Sequence, residues 1–269
     1  IAVALGRRSI RAPWIVVHHG VTAEGARVRA YHAIDRLASL RADAVVCVSP
    51  SQRARFVGAR GPVLVIANAA LMGTIPELDE IPATPPSLRF VGRLSHEKGA
   101  DRALRLLAAL RGDGTPIAMD VVGDGPSMGE LQRLADSLGV AAHVRWHGHV
   151  AAPWRGASAH DLLVLPSRSE GMPNALFEAT IVGMRHVAAD VGDVASMHAA
   201  APAAGVVVPS TDDPHVWREA ARRALALPWH ADDRRAARDA LVAQFGVEAR
   251  ASRFAELYAR LLGAPRGEA

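Results

Sequence analysis

Leu162-Leu163-Val164-Leu165-Pro166-Ser167-Arg168-Ser169-Glu170-Gly171-Met172-Pro173-Asn174-Ala175-Leu176-Phe177-Glu178 passes from an unbroken apolar run, through a polar loop, into an apolar helix. Four consecutive Leu and Val residues closed by a proline read as a strand buried on both faces. Pro173 suits the first turn of a helix running to Val182, because its missing N–H would have no partner there anyway. On that helix Asn174 and Glu178 are four residues apart and share a face, whereas Ala175, Leu176, Phe177, Ala179, Ile181 and Val182 are apolar. A helix this apolar with a single polar stripe needs a partner for the stripe, and the open amides of its first turn suit phosphate or sugar oxygens.

The same alternation extends in both directions from this unit. On the amino side come strand 88–91, helix 100–110, strand 117–122, helix 128–138, strand 144–147 and a short helix near Trp154. On the carboxyl side come strands 187–189 and 206–208, then three Arg/Ala-rich helices, roughly 214–227, 231–243 and 248–262. Strand and helix in this order build an α/β fold with a parallel sheet covered on both faces, whose ligand loops lie beyond the carboxyl ends of the strands. Further upstream, strands 14–17, 44–48 and 63–66 accompany a helix from Arg27 to Arg41, with Val28, Tyr31, Ile34, Leu37 and Leu40 as its apolar stripe. Pro76, Pro82, Pro85 and Pro86 interrupt any regular element between these two blocks. The expected organisation is a partial Rossmann-like domain over 1–75, a linker over 76–86, a Rossmann-like domain over 87–245, and a closing helix over 246–269 that packs back on the first domain. The chain opens at Ile1 without an initiator Met and runs almost at once into a strand, so it reads as a fragment.

Half of the 269 residues are hydrophobic and only 4% are aromatic, which allows a large core and favours packed helices with buried parallel strands over a β-sandwich. Cys47 is the single cysteine, lies in the apolar run Ala44 to Val48, and has no partner for an internal disulfide, so a reducing cytoplasm is expected. No apolar run approaches the ~20 residues of a membrane helix, which leaves a soluble chain or one peripheral to the inner face of the membrane. The net charge of +4 comes from arginines, and those such as Arg218, Arg222, Arg234 and Arg238 are spread over helices as solvated faces rather than clustered with aromatics. Nucleic acid is therefore not the expected partner.

Lys98 is the only lysine, and it stands in Gly92-Arg93-Leu94-Ser95-His96-Glu97-Lys98-Gly99, directly after a strand. A forked guanidinium and a compact ammonium together neutralise a diphosphate and stabilise it as a leaving group. Gly123-Asp124-Gly125-Pro126 ends the next strand, where glycines serve either close backbone approach to a ligand or an ordinary tight turn. A carboxylate accepts two parallel hydrogen bonds, which matches the vicinal hydroxyls of a ribose, so Glu178 suits a ribose and Glu170 a donor sugar, with a capping or ion-pair role beside an arginine as the alternative for Glu178. His143, His147 and His149 are strung along one strand with no carboxylate beside them, and no Asp-x-Asp occurs, so neither a metal nor another cofactor is expected.

Gly92-Arg93-Leu94 with Lys98-Gly99, Val122-Gly123-Asp124-Gly125-Pro126, and Glu170-Gly171-x-Pro173 with Glu178 after seven intervening residues together resemble glycosyltransferase family four, of GT-B fold. The resemblance extends over most of residues 14 to 262. It implies transfer of a sugar from a nucleotide diphosphate donor to a glycan or lipid-linked acceptor, with retention of anomeric configuration, in bacterial cell-envelope synthesis. Arg93 and Lys98 would then hold the diphosphate, Glu170 and the amides of the Gly171-Met172-Pro173-Asn174 stretch the donor sugar, with Gly92 and Gly123 also in the donor site. Glu178 would take the ribose, and the backbone of Trp146, His147 and Gly148 the base. Catalysis would fall to Arg93, Lys98, Glu170 and a first-domain histidine, His19 with His18 as alternate, the departing phosphate taking the acceptor proton. A non-catalytic nucleotide-sugar-binding remnant is the alternative. Arg185, Asp193 and Ser196 depart from the family pattern, which uses proline, glycine and glutamate there, and they bear on the donor-sugar end.

Overall fold

The computed structural model describes residues 12–19, 25–69 and 86–263. The expected linker over 76–86 lies outside the described residues except for Pro86. The chain forms two compact units, residues 1–69 with 245–269, and residues 70–244.

In the first unit β1 (Ile15–His18), α1 (Gly25–Ser39), β2 (Ala44–Cys47), the single turn α2 (Pro50–Arg53) and β3 (Val63–Val65) follow one another. The strands pair in parallel in the order β1-β2-β3. Period-two alternation gives β2 two buried faces: Val45 and Cys47 meet Phe56, whereas Ala44 and Val46 meet Ile66 and Leu257. Leu257 belongs to the closing helix Val247–Leu262, which also packs Phe254 and Leu261 onto that face and hydrogen-bonds Asn68 Oδ1 from Arg250 at 2.8 Å. Cys47 is a buried free thiol.

The stripe expected to bury α1 does not do so: Tyr31, Ile34 and Leu37 are 62%, 53% and 60% exposed. Each step of three residues turns back about 60° on a helix, so five residues at that spacing sweep about 240° and cannot share one face. Leu40, at the end of the sweep, packs on the β2 core.

The second unit contains β4 (Ser87–Val91), α3 (Ala100–Gly112), β5 (Ala118–Val122), α4 (Met128–Ser137), β6 (Val144–Gly148), β7 (Leu162–Leu165) and α5 (Asn174–Ile181). It continues with β8 (Arg185–Ala189), α6 (Val194–Ala200), β9 (Gly205–Val208), α7 (Pro214–Ala226) and α8 (Ala231–Phe245), the last residue of which falls in the first unit. Six parallel strands stand in the order β6-β5-β4-β7-β8-β9. Leu88, Phe90, Met119, Val121, Leu162, Val164 and Val187 from alternate strand positions meet Leu104, Leu107 and Leu110 of α3 and Trp217, Ala220 and Ala224 of α7. This is the main core of the unit.

Three local differences from the sequence reading have physical causes. No helix forms near Trp154; residues 153–156 are a turn that Pro153 opens and Gly156 closes at φ +70°. Pro173 lies just before α5 rather than inside it, in extended conformation, its carbonyl accepting the Leu176 amide. Strand β8 begins at Arg185, because that buried guanidinium donates to the carbonyls of Ala224, Leu225 and Leu227 at 3.1, 2.8 and 3.0 Å. Those carbonyls end α7, so Arg185 caps a helix C-terminus, and it does so at the start of β8, the end opposite the ligand edge. Among the described residues no helix is long and apolar enough to cross a membrane.

Candidate functional site

A chain that lays down β4, β5 and β6 in one direction and then returns to place β7, β8 and β9 on the other side of β4 sends its crossovers apart between β4 and β7. The divergence leaves a crevice at the carboxyl ends of those two strands. The loops that border it are 92–99, with Arg93, Glu97 and Lys98, and 166–173, with Arg168 and Glu170.

The loop after β4 is shaped by close backbone packing. Gly92 N–H donates to Val122 O at 3.0 Å, and Leu94 N–H donates to Asp124 O at 2.9 Å, with Leu94 fully buried. Gly123 has φ +139°, and a Cβ there would stand 1.8 Å from Gly92 O; a Cβ on Gly125 would stand 2.3 Å from Leu94 O. These glycines therefore let the β4 and β5 loops pack backbone to backbone. Gly99 combines φ +69° with a Cβ position 2.2 Å from Pro166 O, so it seats the β4 loop against the β7 loop.

Across the seat, Lys98 Nζ donates to Glu170 Oε1 and Oε2 at 2.9 and 2.8 Å, and Ser167 Oγ–H adds a bond to Oε1 at 2.7 Å. The Glu170 side chain is 5% exposed and that of Lys98 is 30% exposed. Arg93 is exposed on the same loop. Burial pushes the neighbouring Glu97 carboxyl up, but its bond from Ser95 and the charges of Arg93 and Lys98 outweigh this and hold it below its usual range. Both cations therefore bear on one carboxylate.

Arg168, two residues before Glu170, staples the loops. Its amide donates to Glu97 O at 2.7 Å and its Nη1 to His96 O at 3.0 Å. Its guanidinium forks onto both Asp101 oxygens at 2.8 Å and reaches Asp212 at 2.9 Å. Arg102, buried, joins Asp212 to Pro166 O and Ser210. A forked guanidinium on a carboxylate fixes orientation as well as distance, so the β7 loop is held in register with the start of α3. Burial works against ionisation of Asp101, yet its bonds from Arg168 keep its carboxyl below the usual range.

Beyond Glu170 the chain is anchored from β8. Asp193 N–H donates to Gly171 O at 2.8 Å, and Gly192 packs so closely that a Cβ would meet Gly171 O at 2.3 Å. Burial raises the Asp193 carboxyl above its ordinary range, against a bond from Ser196. Met172 and Pro173 are buried; Asn174 is exposed at the start of α5, and Glu178, one turn on along the same face, is half-buried. Trp154 Nε1–H donates to Glu178 Oε2 at 3.0 Å.

At the end of β6 the Trp146 ring packs against the main core, and His147 Nε2 sits 2.6 Å from Asp120 Oδ1. Gly148 O accepts the Gly123 amide at 2.8 Å. Asp120 also receives both ends of Arg145, at 2.8 and 2.6 Å. Burial opposes ionisation of Asp120, but Arg145, His147 and Arg89 prevail and hold its carboxyl at about 2. Of the two candidate histidines in the first unit, His18 is engaged, 3.1 Å from Ser39 Oγ and 4.4 Å from the Phe56 ring, with its pKa lowered by burial. His19 is exposed at the end of β1. No group of three His, Cys, Asp or Glu side chains suited to a metal occurs among the described residues.

The structure thus joins Lys98 to Glu170 directly, with Arg93 on the loop of Lys98 and Glu178 on the helix that follows. Sequence reasoning missed Ser167, Arg168, Asp101, Asp212 and Trp154. Ser167 and Arg168 stood inside the decisive stretch, whereas Trp154 stood in a segment read as a short helix, with nothing to mark its indole as a partner of Glu178.

The family model for glycosyl transferases group 1 matches residues 74–240. Over 197 residues the chain is 32% identical to a GDP-mannose-dependent alpha-(1-6)-phosphatidylinositol monomannoside mannosyltransferase of Mycolicibacterium smegmatis, covering 64% of this chain and 50% of the relative. It is 28% identical over 264 residues to a glycogen synthase of Mycobacterium tuberculosis, covering 93% and 61%. A sucrose-phosphate synthase from Thermosynechococcus elongatus superposes with a TM-score of 0.77 at 20% identity, covering 96% of this chain and 70% of that one. Anabaena HepE, in complex with UDP and glucose, does so with a TM-score of 0.73 at 19% identity, covering 96% and 74%. At such identities the structural likeness speaks for the fold, and it agrees with the α/β, GT-B-like Rossmann architecture expected from the sequence. The chain spans 50% and 61% of the lengths of the two curated relatives.

Proposed function

The chain belongs to the glycosyl transferases group 1 family, and from that premise we propose that it serves a glycosyltransferase that moves a sugar from a nucleotide diphosphate donor to a glycan or lipid-linked acceptor, with retention of anomeric configuration. The observation that carries this reading is the Lys98–Glu170 pair at 2.8 Å across the β4/β7 crevice, because it sets a cation and a sugar-binding carboxylate side by side where a doubly wound sheet takes its ligands.

Arg93 and Lys98 are assigned the diphosphate. Positive charge held in place there acts where negative charge grows on the departing phosphate, with no divalent ion required. Three lone-pair sites of Glu170 are used by Lys98 and Ser167, which leaves one for a donor-sugar hydroxyl. The amides that open α5 and the backbone of Gly171 to Asn174 take further sugar oxygens. Glu178 is assigned the ribose hydroxyls, and the backbone at the end of β6, residues 146–148, the base. His19 is the histidine assigned to the reacting sugar, since His18 is already committed to Ser39 and Phe56.

In the reaction proposed, the bond from the anomeric carbon to the phosphate oxygen breaks, the bond to the acceptor oxygen forms on the same face, and the acceptor proton passes to the departing phosphate. The donor side is tested by melting the protein with and without nucleoside diphosphates. The preferred one should raise the melting temperature at concentrations well above Kd, and Arg93→Ala with Lys98→Ala should abolish the rise. An unchanged rise in the double variant overturns the phosphate assignment, and an inverted anomeric centre in the transferred sugar, read by NMR, overturns retention.

A further inference from the structure

The Glu178 carboxylate is held by a residue to which the proposed reaction gives no role. Trp154 donates its indole N–H to Glu178 Oε2 at 3.0 Å. Its ring is 6% exposed and so cannot swing freely to follow the glutamate. The turn that carries it is anchored in the sheet: Pro153 O accepts a bond at 2.8 Å from Nη1 of Arg89, a side chain on β4 that is itself buried. Arg89 lies 3.8 Å from Asp120, which Arg145 and His147 also hold. A continuous polar chain therefore runs from Asp120 through Arg89 and the Pro153–Trp154 turn to Glu178.

A glutamate side chain has three torsions, and the last, which sets the plane of the carboxylate, is broad. One hydrogen bond from a buried, immobile donor removes most of that breadth. The indole takes a single lone-pair site on Oε2 and leaves Oε1 and the second site of Oε2 open, the pair of acceptors that a vicinal diol requires. We propose that Trp154 is the positioning residue that orients Glu178 for the ribose diol, and that it thereby makes the site prefer ribonucleoside over 2′-deoxyribonucleoside diphosphates. The proposal rests on the nucleotide-binding reading above; Trp154 acts through Glu178 and is assigned no ligand contact of its own.

The test is calorimetry on the full 269-residue chain with UDP, GDP and ADP, each beside its 2′-deoxy counterpart. The wild type should bind one ribonucleotide more tightly than its deoxy form, and Trp154→Phe, which keeps an aromatic ring and deletes the donor, should lower that ratio by about tenfold, the size of one charge-assisted hydrogen bond. Affinity for the deoxy form should change little. In a Glu178→Ala background, Trp154→Phe should leave the ratio where Glu178→Ala alone has put it. If the phenylalanine variant melts early, benzothienylalanine at position 154 deletes the N–H at almost unchanged shape, and the same loss is expected. Full discrimination in either donor-deleted protein overturns the role of Trp154 and leaves the nucleotide reading intact, as does a wild type that binds ribo and deoxy forms alike. A wild type that binds no nucleoside diphosphate overturns the function proposed above and this proposal with it.

Discussion

His186 gives the second unit a measurable sensitivity to acid. It lies on β8, is 2% exposed, and has no hydrogen-bond partner for either ring nitrogen among the described residues. The His198 ring stands edge-on at 5.7 Å, and a Cβ on Gly205 would fall within 2.7 Å of the imidazole. Burial, with a smaller contribution from His198, lowers its pKa from 6.5 to about 3. The unfolded chain therefore binds a proton below pH 6.5 that the folded chain refuses. Stability is undiminished above pH 6.5, falls as the pH drops, and levels off only where the folded ring itself titrates, near 3. At pH 5 the free imidazole is favoured for protonation by about 1.5 pH units, which is a loss of about 2 kcal/mol relative to pH 8. Urea unfolding of the wild type and of His186→Leu, followed by the fluorescence of Trp146, Trp154, Trp217 and Trp229, reads this loss directly. The wild type should lose about 2 kcal/mol more than the leucine variant between pH 8 and pH 5. His198, whose pKa burial also lowers, is common to both proteins, and Asp120, held at about 2, titrates below this window. A difference between the two proteins that stays constant from pH 8 to pH 5 would refute the reasoning.

Arg168→Ala should free the Glu170 loop, lower nucleoside diphosphate affinity about tenfold and cost about 1–3 kcal/mol in stability. Arg168→Lys should restore little of either, since one ammonium cannot fork onto both oxygens of Asp101, and calorimetry in which lysine equals arginine would contradict the staple. Gly123→Ala should cost more than about 3 kcal/mol, because its methyl would stand 1.8 Å from Gly92 O at a φ that L-residues avoid. A thermal melt that matches the wild type would contradict that contact.

The β/α alternation of the second unit was legible because its strands carry short apolar stretches, such as Leu162–Leu165, bounded by turn residues, and so was the edge at which ligands are to be sought. That the loops of Lys98 and Glu170 share one sheet edge was legible from their places after strands, whereas the direct bond between the two side chains, 72 residues apart in sequence, was not. What escaped shares one feature: it depends on partners that local pattern does not announce. Trp154 reaches Glu178 from a turn without periodicity. Arg185, placed by resemblance near the donor sugar, is committed to the end of α7 from the far end of its strand. The seven residues of α6 are too few to show a helical period, and the three-residue spacing in α1 imitated an amphipathic face that its own rotation disperses.

The strand order has a mechanical consequence. Strands β4 and β7 pair only at Leu88 with Leu162 and at Arg89 with Leu163, whereas β4 and β5 run in register from Ser87 to Val91. The sheet is thus two well-knit flaps joined along a short seam, which Ser87 N–H to Asp161 stitches at one end and Lys98 to Glu170 at the other. A molecule that bridged the two loops would add a stitch at the open end of the seam, so occupancy should slow amide exchange along β4 and β7 more than along the outer strands β6 and β9.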